Sequence, residues 1–98
     1  MRFEWDDAKN RRNVLKHGVS FEAASLIFDD PLLHAAKDRV VNREERWLTV
    51  GETVGGVLLV VAHTVRWTGE DEVVRVVSAR KAVARERRLY AESAQALG

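Results

Sequence analysis

The hydrophobic period of this chain changes near Pro31, and that change limits what it can fold into. Before Pro31 the apolar residues recur at helical spacing; after it they alternate or run together, as strands do. A chain of 98 residues has room for one core, so both kinds of segment must pack against each other. The pattern predicts a single α+β domain over 1–98: two N-terminal helices, a small antiparallel meander covered on one face, and a C-terminal helix.

Local signals place the elements. Phe3–Trp5 reads as a short strand, and Asp6 as the N-cap of a helix from Asp7 to His17, closed by Gly18. Its expected inner face is Ala8, Val14 and Leu15, with His17 a C-terminal capping residue. Ser20 caps a second helix carrying Ala23, Ala24, Ile27 and Phe28 inward, which Asp29-Asp30-Pro31 ends. Strands follow at Leu32–Ala36, Arg46–Val50, Val57–Val65 and Val73–Ala79, with turns at Gly55-Gly56 and at Thr68-Gly69-Glu70-Asp71. The last helix is expected over Lys81–Ala96, with Ala82, Leu89, Tyr90 and Ala94 inside.

Composition narrows the chemistry. The absence of cysteine excludes a disulfide framework, a thiolate zinc site and a cysteine nucleophile. The three histidines lie far apart and no HExxH motif occurs, so neither a metal nor a cofactor is expected. Met1–Asp7 is polar and acidic rather than basic then apolar, and the longest apolar run, Val57–Ala62, is too short to span a bilayer. A cytoplasmic protein with no membrane partner is expected. Net charge is only +1, but cations gather at Lys9, Arg11, Arg12 and Lys16, and again at Arg75, Arg80, Lys81, Arg85, Arg87 and Arg88. Such segregation points to an anionic partner.

Several fragments, in order, resemble one family. Phe3-Glu4-Trp5-Asp6, Lys9, Asn13 and Lys16-His17-Gly18-Val19-Ser20-Phe21-Glu22-Ala23 open the resemblance; Asp30-Pro31, Glu45-Arg46, Gly51, Leu59-Val60-Val61 and His63-Thr64 continue it. Arg75–Ala82, Arg85-Glu86-Arg87 and Tyr90 close it. The chain is similar to the BrnT toxins from about Phe3 to Tyr90. The resemblance implies a RelE-like ribonuclease that cleaves RNA and blocks translation. It also implies a ribbon–helix–helix, BrnA-like antitoxin, in a two-to-two complex that binds operator DNA.

RNA brings its own nucleophile, the ribose 2′-OH, so cleavage needs proton transfer and cations aimed at the developing phosphorane. Arg75 interrupts an apolar strand; it either serves the site or pairs with a carboxylate such as Glu45 or Glu72. Arg80 and Lys81 fall at the expected strand-to-helix junction, where a helix start favours anions. Arg46, on the strand face of Leu48 and Val50, is the third phosphate candidate. His63 is the candidate acid or base, with Glu86 the alternative base or a group that orients an arginine. Tyr90 either donates a proton or fills core, and with Lys81 and Arg85 it is a candidate RNA contact. The alternative reading is a non-catalytic nucleic-acid- or protein-binding module, with Trp47 or Trp67 at an interface.

Overall fold

A computed structural model describes residues 1–97. The order is β1 (Arg2–Glu4), α1 (Asp7–His17), α2 (Phe21–Ser25), a 3₁₀ turn (Leu26–Asp29), β2 (His34–Val41), β3 (Glu44–Glu52), β4 (Leu58–Thr68), β5 (Asp71–Lys81) and α3 (Ala84–Leu97). The class is α+β, as expected. The order and the sheet differ from expectation. The short strand expected before the helices joins the sheet at its edge, parallel to β5, so the meander becomes part of one mixed sheet in the order β1-β5-β4-β3-β2. Three residues are too few to show a period, so neither the direction nor the partner of β1 is legible locally. Among the described residues, no helix is long and apolar enough to cross a membrane.

The sheet is also covered on both faces rather than one. Val19, Phe21, Ala24 and Ile27 of the α1–α2 layer bury against Leu59, Val61, Val76 and Ala79. On the opposite face, Tyr90 of α3 and Ala82 cluster with Val50 and Val60. Gly51 allows the first layer to sit close, because a Cβ there would lie 2.8 Å from the Ile27 Cβ.

Helix α1 is capped as its sequence requires. The Asp6 side chain accepts from the Lys9 N–H at 3.0 Å, and Gly18 turns left-handed at φ 71°. Its inner face is not the expected one: Leu15 is 88% exposed and Val14 is exposed, while Asn13 is buried. The Asn13 amide donates to the carbonyls of Val19 and Ala79 at 2.8 Å each, and its Oδ1 accepts from the Ala79 N–H at 3.2 Å. Strand β1 reaches only as far as Arg75 along β5, so at Ala79 this side chain supplies the edge with the donor and acceptor a neighbouring strand would give. A polar residue satisfied in this way gives no hydrophobic signal.

β2 and β3 form a hairpin whose turn the sequence does not announce. Val41 pairs with Glu44, leaving Asn42 and Arg43 at positive φ, 50° and 67°. Twist favours such a turn, but Arg43 pays for a conformation that glycine adopts freely. Arg43→Gly is expected to stabilise the fold by about 0.5–1 kcal/mol, raising Tm by roughly 2–8 °C in a melt followed by circular dichroism. An unchanged or lower Tm would show that the turn carries no such strain.

Candidate functional site

One irregularity in β5 assembles the site. Arg75 and Arg80 are five residues apart and would point to opposite faces of a regular strand. Ser78 lies opposite Ala62 and Val76 opposite His63, so Val77 is an extra, unpaired residue, a β-bulge. Arg75 therefore pairs with Thr64 and Arg80 with Val60, two β4 residues of like orientation. Arg46 pairs with Thr64 from the other side. All three arginines share the face that α3 covers in part, with buried Thr64 in register between Arg46 and Arg75.

Each arginine has a distinct setting. Arg80 grips Glu86 with both ends of its fork, two bonds of 2.7 Å. Glu86 Oε1 also accepts from the Val83 N–H at 2.9 Å, the backward arm of a capping box at the start of α3. The hydrogen bonds from Arg80 hold the Glu86 carboxyl below the usual carboxylate range, and the same contact raises the Arg80 guanidinium. Arg75 Nη1 lies 3.5 Å from Glu4, which also binds Arg66. Glu45 and Glu72, weighed as its partners, belong to the other face: they pair or align with Val65 and Trp67. Arg46 Nε is buried and meets no acceptor among the described residues, a costly state that an anionic ligand would relieve.

The other candidates fall elsewhere. Lys81 is a strand residue, not a helix-start residue, and pairs with Leu59, so it points to the α1–α2 face. α3 begins three residues later, because the strand period runs on through Arg80 and Lys81, and Arg85 sits exposed in its first turn. The expected anion perch at that junction is instead filled by the protein's own Glu86 carboxylate. His63 lies on the opposite face from the arginines and is 3% exposed. Its Nε2 is 2.7 Å from Thr49 Oγ1, and its ring meets Phe28 edge-on at 5.0 Å. Burial pushes its pKa down, partly opposed by the Thr64 carbonyl. A groove of about 480 Å³ opens beside it, with Trp47, Trp67, Glu45 and Glu72 in its lining and no lysine or arginine.

Tyr90 is a buried anchor. Its hydroxyl donates to Asp30 Oδ2 at 2.7 Å, and Asp30 also accepts from the N–H groups of Glu52 (2.8 Å) and Leu32 (2.9 Å). One carboxylate thus ties the end of the 3₁₀ turn, β3 and α3 together. Burial raises the Asp30 carboxyl, but the bonds from Tyr90, Glu52 and Leu32 outweigh it and hold the group low. Burial and the Asp30 bond push the Tyr90 hydroxyl up to about 12. A raised phenol stabilises the fold below its unfolded value near 10, and that contribution fades as pH rises toward 12. Tyr90→Phe is expected to cost about 1 kcal/mol at neutral pH and to flatten the fall in stability above pH ~10. Denaturant melts at the two pH values check this; equal losses for both proteins above that pH would contradict it.

Glu4, Asp30 and Thr64 take part in this architecture, although no local pattern marks them as partners of the arginines or of Tyr90. Only pairing across β1, β4 and β5 brings Glu4 to Arg75, over 71 residues.

This small α+β domain gathers Arg46, Arg75 and Arg80 on one half-open sheet face, and guanidinium forks are the side chains best matched to phosphate oxygens. Residues 5–86 match the family described as the ribonuclease toxin, BrnT, of type II toxin–antitoxin systems. The chain belongs to that family. No curated protein matches the sequence significantly.

Proposed function

We propose that the chain is a metal-independent endoribonuclease, one RelE-like toxin domain over 1–98, that cuts RNA on the arginine face and so blocks translation. The observation that carries this reading is the convergence of Arg46, Arg75 and Arg80 on one face through the Val77 bulge. In the proposed reaction the 2′-OH attacks the adjacent phosphorus while Arg46 and Arg75 hold the non-bridging oxygens. Glu86, ionised at neutral pH, takes the 2′-OH proton as Arg80 turns part of its fork to the phosphate. The P–O5′ bond breaks and the leaving oxygen gains a proton from solvent. The products are a 2′,3′-cyclic phosphate and a 5′-hydroxyl.

Family membership supports an antitoxin partner. Its ribbon–helix–helix character, a two-to-two complex, operator binding and a cytoplasmic setting complete the proposal.

One observation favours a second reading, a binding module. Glu86 and Tyr90 are both engaged, and His63 lies on the other face, so none of the three residues expected to move protons is left uncommitted among the arginines. Purified protein incubated with single-stranded RNA and a metal chelator separates the two. The enzyme gives fragments ending in cyclic phosphate, whereas a binding module retains intact RNA.

A further inference from the structure

The cationic block on α1 has no part in the reaction just described. Lys9, Arg12 and Lys16 recur at three- and four-residue intervals, so they form one stripe. With His17 they line a shallow concavity of about 420 Å³ whose far wall is Val77 and Ser78. Among the described residues, none of the three cations makes an ion pair. Lys16 and His17 suit the negative end of the helix dipole, but Lys9 stands in the first turn, where a cation is disfavoured. Asp6, which precedes the helix, has its side chain bound to the Lys9 N–H as the N-cap.

The far wall of this concavity is the bulge that brings Arg75 and Arg80 to one face. Ser78 is exposed and pairs with Ala62, on the arginine side of β4. Asn13, between Arg12 and Val14 on α1, binds the backbone of Ala79, next to Arg80. The stripe and the arginine face therefore meet across a single strand edge. From Lys9 to Lys16 the helix rises about 10 Å, against ~3.4 Å per nucleotide along a stacked strand, so the row spans several successive phosphates.

The geometry points to a second RNA-binding surface: Lys9, Arg12 and Lys16 hold the phosphate backbone of the strand flanking the scissile bond, which bends around the β5 edge at Val77 and Ser78. This rests on the ribonuclease reading and specifies how that site holds long substrates. The contacts are to phosphate, so they add affinity without base preference.

The test compares the natural chain with the triple variant Lys9→Gln, Arg12→Gln, Lys16→Gln, all exposed positions, its fold checked by circular dichroism. Binding to a 2′-O-methylated single strand, which lacks the nucleophile, is measured by fluorescence anisotropy over a salt series; cleavage is measured on a dinucleotide and on a long RNA. The variant is expected to bind at least about tenfold more weakly at low salt, and to lose about 2 from the log–log salt slope, at ~0.7 per phosphate. Its rate on the dinucleotide stays unchanged while kcat/KM on long RNA falls. Natural-chain affinity and slope in the variant would overturn the inference and leave the ribonuclease reading intact. A natural chain that neither binds nor cleaves RNA would sink both. Unchanged RNA binding with weakened capture of an acidic protein partner would assign the stripe to that partner instead.

Discussion

Arg80→Ala is expected to lower RNA cleavage by about 10²–10³-fold, the usual cost of removing one donor aimed at developing charge. Two losses combine at this residue. The phosphorane loses a planar fork, and Glu86 loses the partner that holds it in place. Stability should suffer far less. The Arg80 side chain is 39% exposed, so the pair contributes on the order of 1 kcal/mol at most, and Glu86 keeps its bond to the Val83 N–H. Arg80→Lys sharpens the point, since it keeps a charge and loses the fork; a loss of about tenfold or more is expected there too. Cleavage kinetics on a defined RNA, read beside the melting temperature, give the answer. Activity within about threefold of the natural chain would remove Arg80 from the site.

The largest expected effect on folding belongs to Asn13. Asn13→Ala removes three hydrogen bonds and leaves the Ala79 N–H and two carbonyls unpaired in a buried place. A cost of about 3 kcal/mol is expected, lowering Tm by roughly 10–20 °C. Asn13→Asp should be at least as damaging, because a carboxylate would face the carbonyls of Val19 and Ala79 with no donor to offer. Thermal and urea melts test this. A loss under about 0.5 kcal/mol would mean that the β5 edge is satisfied in some other way.

What could be read from the sequence follows from where the information lies. The caps Asp6, Gly18 and Ser20 act on groups within four residues, and all three stand as expected. The Gly55-Gly56 and Gly69-Glu70 turns were equally visible, since glycine marks positive φ. The Asn42-Arg43 turn was not, because arginine carries no such mark. The inner face of α1 is not legible in the apolar pattern, because its buried residue is polar and its apolar Leu15 faces solvent. The start of α3 lies three residues past the expected Lys81, since Arg80 and Lys81 suit a strand end as well as a helix start.

The arginine face shows the same limit at the level of the site. Arg46, Arg75 and Arg80 each stand out in the sequence as phosphate candidates, yet strict alternation separates Arg75 from Arg80. A single extra residue, Val77, puts them together, and no local feature of Arg75-Val76-Val77-Ser78 announces a bulge. The chemistry of His63 is legible in the sequence, but its orientation depends on the register of β4 against β3 and β5. That register turns it toward Thr49 and Phe28, away from the arginines. Partners distant in sequence, such as Glu4 for Arg75 and Asp30 for Tyr90, exist only once the sheet has closed.

The measurement that bears most directly on the central claim is growth of a bacterial host on inducing the natural chain or Arg80→Ala, with total RNA mapped for new ends. If the arginine face cuts RNA, the natural chain arrests growth and leaves new 5′-hydroxyl ends, and the variant, expressed to the same level, does neither. Arrest and the same ends with both proteins would contradict the assigned site; growth and intact RNA with both would contradict the enzyme itself.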